Sequence, residues 1–388
     1  MSNTLTGLIP VIYEAYDIVA REMTGFINHV FRNSSAEQAA LNQDVTYHIA
    51  PPATTGNITP GQTPPDDGDQ TFGTDSLKIT KSKYSPVRWN GEEQKSVKGT
   101  YTNIVRDQFA QSIRALVNEI EIDLALTGKL AASRAVGTAG TTPFGTAGDL
   151  SDFALPLQVL EDNGCPGSDR HIVVNSNSMA NLRGKQSVLF KVNEAGTDAF
   201  LRRGIIGQVQ GLDIGNSAGL TLHTKGTGTG FALNNVAGYP VGSKTIAVDT
   251  GTGTILAGDV FTNSQAGRDA NKYVVKTALA AGSLVLNNPG TRVAWLDNDT
   301  VAVGNNYMPN LAFHRSAIHL VTRAPAMPVG ADGQPIDMAD DVMTVEDPIT
   351  GLVFQVALYR LYRRIRYEIG IAWGQKAVKD DFIALLLG

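Results

Sequence analysis

The apolar positions of this chain change period several times, and the changes divide it into segments. Residues 10–32 read as an amphipathic helix. Pro10 suits a first helical position, and Ile12, Tyr16, Val19, Met23, Phe26 and Val30 follow at alternating steps of four and three. That stripe needs burial, either on the chain's own body or on a neighbour. Residues 102–129 give the clearest helix. Phe109, Ile113, Leu116, Val117, Ile120 and Leu124 share one face, and Arg106, Arg114, Glu121 and Asp123 are expected to point away. At about 1.5 Å per residue this helix spans roughly 40 Å.

Between the two helices the period falls to two. Val45, Tyr47 and Ile49 alternate as in a strand that Pro51 and Pro52 close. A polar stretch with Pro60, Pro64, Pro65, Asp66, Asp67 and Asp69 follows. Leu77 and Ile79 then restart the alternation through Lys81, Lys83 and Tyr84. The pattern predicts a hairpin with a long tip. A lone two-stranded ribbon is marginal in water, so something outside the hairpin is expected to support it.

Residues 150–220 alternate helix (153–162), strand (171–175) and helix (after Ser178), then pass through a glycine-punctuated stretch at 204–214. In 221–303 the character changes. Short β-type runs at 244–248, 259–262, 272–276, 283–286 and 300–303 lie between Gly, Asn and Asp turns, at the spacing of a small barrel or sandwich. The tail carries a run at 311–322, an irregular acidic stretch at 325–347 and two strands. In the second strand Ile365, Tyr367, Ile369, Ile371 and Trp373 alternate with Arg364, Arg366 and Glu368.

Composition narrows the function. The 388 residues suffice for two or three compact units. Charged residues are 18%, below the roughly 25% of ordinary globular chains, and glycines number 40. A surface so poor in charge suits contact with other protein. The net charge of -5 leaves no overall basic footprint, so any nucleic-acid contact should be weak or local. Cys165 is the only cysteine, which excludes an internal disulfide or a cysteine-based zinc site and reads as a small apolar filler. No apolar run is long enough to span a membrane, and residues 1–4 lack the features of a signal peptide, so a cytoplasmic location in the producing cell is expected.

The candidate chemistry is thin. His314 and His319 diverge on either a strand or a helix and do not make a metal pair. His171 opens a strand and reads as an ordinary core or surface histidine. Gly226, Gly228 and Gly230 superficially suggest a phosphate loop, yet the Lys-Ser/Thr ending is missing, and a flexible linker is expected. Asp297, Asn298 and Asp299 lack the glycine and distal glutamate of a calcium loop and read as a turn. No nucleophile elbow precedes a helix. No catalytic, cofactor-binding or metal residue is therefore assigned. The one dense positive patch is Arg360, Arg363, Arg364 and Arg366, expected to pair with neighbouring acids.

Several stretches, taken in order, resemble the tailed-phage and herpesvirus capsid fold, nearest to short-tailed-phage coat proteins with an inserted β-barrel domain. Residues 112–125 resemble its spine helix, and 171–175 with Met179 and Leu182 resemble an axial-domain strand and helix. Residues 204–214 resemble the passage before the insertion, 311–318 the re-entry after it, and 362–373 a closing strand. The resemblance implies an α+β fold divided as N-terminal arm (1–44), extended loop (45–98), peripheral domain with spine helix (99–149) and axial domain (150–221). An inserted β-barrel-like domain (222–303), the axial domain continued (304–349) and peripheral closing strands (350–388) complete it.

It implies a non-enzymatic major capsid protein that self-assembles, as hexamers and pentamers, into an icosahedral shell around double-stranded DNA. Virion localisation, assembly in the host cytoplasm, and scaffolding and portal proteins as partners belong to the same implication. The arginine patch could then touch packaged DNA weakly. No cofactor and no membrane contact are implied, and nothing around Lys78, Lys81 and Lys83 matches a crosslinking motif. The rivals are a tail or decoration protein, which would be β-dominated, and an enzyme, which would need a cleft of converging titratable groups. On this reading, deletion of residues 1–32 leaves a folded chain that assembles poorly.

Overall fold

The alternation at Ile365, Tyr367, Ile369, Ile371 and Trp373 builds the axis of the first of three sheets. The computed structural model describes residues 25–49, 55, 57, 58, 60, 73–97, 101–186, 207–331, 336–347 and 350–388. The strands open with β1 (Phe31–Ala39), β2 (Asp44–Ile49), β3 (Gly73–Lys78), β4 (Lys81–Asn90), β5 (Arg134–Gly137) and β6 (Arg170–Val174). Then come β7 (Gln208–Val209), β8 (Leu212–Asn216), β9 (Ala232–Leu233), β10 (Thr245–Asp249), β11 (Val260–Asn263), β12 (Lys272–Ala280) and β13 (Ser283–Leu286). The chain closes with β14 (Val301–Val303), β15 (Pro309–His314), β16 (Ile318–Pro325), β17 (Asp341–Glu346), β18 (Val353–Leu361), β19 (Arg364–Ala377) and β20 (Ile383–Leu387). Among the described residues four α-helices intervene: α1 (Gly91–Ser96), α2 (Tyr101–Ala131), α3 (Ser151–Asp162) and α4 (Ser176–Lys185). The architecture is α+β.

A six-stranded sheet runs β1-β16-β19-β18-β17, with β4 also on β19. β19, 14 residues long, pairs with β4 over 364–373, with β18 over 364–370 and with β16 over 372–377. A twelve-stranded sheet follows the order β7-β8-β6-β15-β20-β5-β12-β13-β10-β9, with β11 and β14 off the path. β2 and β3 form a two-stranded ribbon of their own.

The 31-residue helix α2 lies across both larger sheets. Phe109, Ile113 and Ile120 join Ile369, Ile371 and Trp373 of one sheet and Leu311, Phe313 and Leu385 of the other in a single core. The central strands β6, β15 and β20 of the twelve-stranded sheet are buried on both faces, which is why they read as nearly unbroken apolar runs. In β20, Ile383, Leu385 and Leu387 enter the core under α2, and Ala384 and Leu386 enter a second core with Phe144, Phe153, Leu160 and Leu182. Asn175 starts α4 by accepting the Ser178 N–H at 2.7 Å, which fixes where β6 turns into helix.

A third core holds Phe231, Ile246, Phe261, Tyr273, Leu286 and Trp295, all within the stretch of short β runs. Its strands join the rest of the sheet where β12 meets β5, through Lys272↔Ala135 and Tyr273↔Arg134. Buried polar pairs reinforce that seam. Asp269 accepts from Tyr273 Oη (2.7 Å) and Trp295 Nε1 (3.0 Å), and Arg134 reaches Asn271 (3.0 Å) and Asp162 (2.8 Å).

The structure corrects several expectations. Of the helix read at 10–32, residues 10–24 lie outside the described residues. Residues 25–30 are turns, and β1 begins at Phe31. Phe26, Ile27 and Val30 are buried in the main core, so a deletion through residue 32 would open that core rather than spare it. The hairpin ends at Lys78, because 81–90 is claimed by β19. The run at 311–322 breaks at a 3₁₀ turn, Arg315–Ala317, which sends β15 and β16 into different sheets. The acidic stretch at 325–347 contains a full strand, β17, paired along β18. β20 leaves the six-stranded sheet for the other, so 350–388 is shared between them.

Gly374 marks where ribbon and sheet touch. A Cβ there would collide with the Lys78 carbonyl and lie 2.9 Å from Leu77 Cδ2. Gly374→Ala should therefore cost about 1–3 kcal/mol in a urea titration. An unchanged midpoint would show that the ribbon's base is not packed this way.

Candidate assembly surfaces

Three features stand apart from the folded body or tie it together: the β2–β3 ribbon, an acidic turn of α2, and the arginine hairpin between β18 and β19. The ribbon has six register pairs, from Asp44↔Lys78 to Ile49↔Gly73. Its base is apolar. Leu77 and Ile79 are buried, and Ile79 forms a small cluster with Ala39, Ala372 and Val45. Next to the base, Lys376 Nζ holds both Asp75 oxygens at 2.6 Å, and Tyr47 Oη donates to Asp75 Oδ2 at 2.7 Å. The hydrogen bonds from Lys376 and Tyr47 keep the Asp75 carboxyl below its ordinary range. Farther out, Thr46, His48, Gly73 and Thr74 are exposed.

The sequence reading sent Glu121 and Asp123 to solvent, and the structure buries both. Their side of α2 is covered by other parts of the chain. Glu121 accepts the backbone N–H groups of Gly25 (2.6 Å), Phe26 (2.7 Å) and Ile27 (3.2 Å). Burial nevertheless pushes its carboxyl above the ordinary value. Asp123 accepts from Trp373 Nε1 at 3.0 Å and from Lys81 Nζ at 2.8 Å. Lys81 and Lys83 also share Glu119, at 3.0 and 2.5 Å. Burial opposes ionisation of Glu119, but the two ammoniums win and hold it below its usual range. The signal was present in the sequence: at 120–125 apolar residues surround the two acids on every side of the helix.

The β18–β19 hairpin turns through Tyr362 and Arg363, with Leu361 opposite Arg364. Tyr362 is 87% exposed, Leu361 is half-exposed, and Arg363 holds φ 56. That left-handed conformation is one that tight two-residue hairpin turns commonly use. Of the four arginines, Arg360 meets Asp340 at 3.1 Å and Arg366 meets Glu368 at 2.5 Å, both within the chain. Arg366 also lies over the rings of Tyr84 (5.3 Å) and Tyr359 (5.9 Å). Arg363 and Arg364 have no ion pair among the described residues. Beside the tip opens a cleft of about 700 Å³ lined by Trp89, Glu92, Gln94, Tyr362 and Arg364 among others.

The remaining candidates resolve into structural roles. His314 caps the 3₁₀ turn, and His319 lies on β16 against Phe31 and Tyr47. The 226–230 stretch is no loose linker, since the Gly226 N–H donates to Asp259 and the Gly228 N–H to Thr254 at 2.8 Å. A Cβ at Gly226 would strike the Thr254 carbonyl, so glycine is required there by close approach. Asp299 is buried and ties a turn through Leu296 N–H (3.0 Å) and Asn263 (2.9 Å). Cys165 is buried. Among the described residues no group of three His, Cys, Asp or Glu could hold a metal ion, and no helix is long and apolar enough to cross a membrane.

No protein-family model matches the chain, and no curated protein does. Among solved structures it is similar to a chain of Mycobacterium phage Che8, at 14% identity and a TM-score of 0.46, over 94% of this chain and 90% of that one. It is also similar to the capsid structure of the Cyanophage P-SCSP1u, at 14% identity and a TM-score of 0.49, over 95% and 88%. A virus-like particle from Pyrococcus furiosus is similar at 8% identity and a TM-score of 0.43, over 97% and 98%.

Removing the acid that joins α2 to β19 should be costly. Asp123→Ala leaves the buried Trp373 N–H without an acceptor and should lower stability by about 1–3 kcal/mol in thermal or urea unfolding. A loss within error would mean that Asp123 is not the joint.

Proposed function

We propose that the chain is a major capsid protein of a tailed bacteriophage, a structural subunit that builds an icosahedral shell from many copies of itself. The observation that carries this reading is the β2–β3 ribbon. It stands outside both larger sheets, is held to the body through Leu77 and Ile79 at its base and through Asp75 and Tyr47 farther along, and exposes Thr46, His48, Gly73 and Thr74. Such a ribbon is marginal alone and gains order by lying on something else.

The arginine hairpin supports the same reading from the other end of β19. Lys376, which holds the ribbon, and Arg364 are twelve residues apart on one strand, roughly 40 Å at about 3.3 Å per residue. A molecule with unlike contact surfaces at opposite ends associates head to tail, and head-to-tail contacts that close give rings. Rings of six and five would be the hexamers and pentamers of a shell. Exposed Tyr and Arg side chains at the tip belong to the residue types favoured at protein contacts. Individually modest contacts, linked around a closed shell, give high collective stability.

The similarity to solved phage capsid structures agrees with this proposal. So does the net charge of -5, since a strongly basic inner surface would hold back DNA that has to leave. Scaffolding protein, portal and packaged double-stranded DNA enter the proposal as the partners such a shell requires. Residues 1–24 as an arm, 45–78 as the extended loop and the short-stranded part of 222–303 as an insertion are the corresponding division of labour.

Electron microscopy of the purified chain, alone and with a scaffolding protein, tests the reading. Closed shells or tubes are expected. Fibres would point to a tail component, and uniform small particles under both conditions would overturn the proposal. Replacing residues 50–72 by a short Gly-Ser linker, or making Arg363→Glu with Arg364→Glu, should preserve the circular dichroism spectrum. Each change should cut shell yield roughly tenfold, as expected when one of several linked contacts is lost. Normal yield from both would remove the two surfaces from the account.

A further inference from the structure

We propose that the turn formed by residues 25–30 is an acid-released latch, unseated when His29 and His171 take up protons. The turn is the entry of the described fold. Glu121 of α2 holds its first three N–H groups, and its other flank rests on the twelve-stranded sheet. There the His29 ring covers Gly215 of β8, whose Cβ, if present, would come within 3.3 Å of the imidazole. The same ring lies 4.7 Å from that of His171, a buried residue of β6.

The protonation state follows from the hydrogen bonds. His29 Nδ1 is 2.8 Å from the Gly25 carbonyl, which only accepts, so Nδ1 carries the hydrogen and Nε2 is the atom left to titrate. Neither nitrogen of His171 has a hydrogen-bond partner among the described residues. Its Nδ1 is 3.5 Å from Asp213 Oδ2 of β8. The charged groups around the pair are Arg315 and His314 at the end of β15, Arg32 on β1, Asp213 on β8 and Asp169 before β6, with Asp347 facing Arg32. Two imidazolium rings in this space would repel each other and Arg315, with the carboxylates of Asp213 beside His29 and Asp169 beside His171 offsetting only part of that repulsion.

Burial first, and then the neighbouring histidines and arginines, lowers both histidines from 6.5 to about 4 against the opposing pull of Asp213 and Asp169. A histidine lowered in the folded state favours folding when neutral. Its contribution is whole above pH 6.5 and is lost as the pH falls toward about 4. Glu121 works in the opposite sense: burial raises its carboxyl, so acid favours its docked neutral form. The release therefore belongs to the histidine pair and does not pass through Glu121.

Hydrogen exchange of the unassembled full-length chain, corrected for intrinsic rates at pH 7 and pH 4.5, reads the latch directly and is independent of shell formation. In the wild type, protection of amides 25–30 should fall by roughly tenfold to a hundredfold while that of β15 and β20 holds. In His29→Asn with His171→Asn the fall should shrink to under about threefold. Glu121→Gln should lower protection at both pH values and keep the pH-dependent fall. If the double variant fails to fold, His29→Asn alone, at a half-buried site, should reduce the fall by roughly threefold. An undiminished fall in the histidine variants, or none in the wild type, overturns the proposal.

Discussion

Two buried carboxylates on one turn of a long helix govern how this molecule is put together. Burying a charge costs free energy unless partners meet it, so Glu121 and Asp123 fix what must surround α2. Glu121 requires the N–H groups of residues 25–27, and so brings the start of the described chain onto the helix. Asp123 requires Trp373 and Lys81, and so brings β19 and the first residue of β4 to the same place. Because Lys81 follows the ribbon by three residues, the joint that seats the sheet also sets where the ribbon leaves the body. The continuous core of Phe109, Ile120, Ile371, Leu311 and Leu385 supplies most of the favourable burial, and the acids decide its registration.

Much of this was legible in the sequence, for particular reasons. The 31 residues of α2 announced themselves by a stripe from Phe109 to Leu124, and β19 by strict alternation from Ile365 to Trp373. The paired alternations around Val45 and Leu77 gave the ribbon. Each keeps its apolar side chains at a regular spacing, with polar or small residues between them, so its period is clean. What escaped lacked that asymmetry. β20 is buried on both faces, so its apolar run shows no period and says nothing about which sheet it joins. The break between β15 and β16 is a three-residue turn without proline or glycine inside a continuous apolar pattern. Glu121 and Asp123 misled because a charged residue is assigned to solvent by default, and only the tertiary neighbours at residues 25–27 and 373 reverse that. His29 and His171, 142 positions apart in the chain, meet only through the fold.

The mechanical division matters most for function. The body has three cores and sheets buried on one or both faces, whereas the described part of the ribbon has a small apolar cluster at its foot, a ring contact between Tyr47 and His319 and an ion pair between Asp75 and Lys376. A partly exposed ion pair of that kind is worth about 1 kcal/mol or less, too little to order a two-stranded ribbon along its length. The missing stabilisation has to come from another surface, and the exposed arginine hairpin at the far end of β19 offers one that a second copy could use. Rigid bodies joined by marginal extensions correct errors while they assemble and harden once every extension is seated.

Hydrogen exchange across the ribbon, in dilute monomer and in assembled particles, is the most direct measure of that dependence. Amides of Asp44–Ile49 and Gly73–Lys78 should exchange rapidly in the monomer and become strongly protected on assembly, while those of β6, β15 and β20 stay protected in both. A ribbon already protected in the isolated chain as firmly as β20 would contradict the claim that it owes its order to neighbouring subunits.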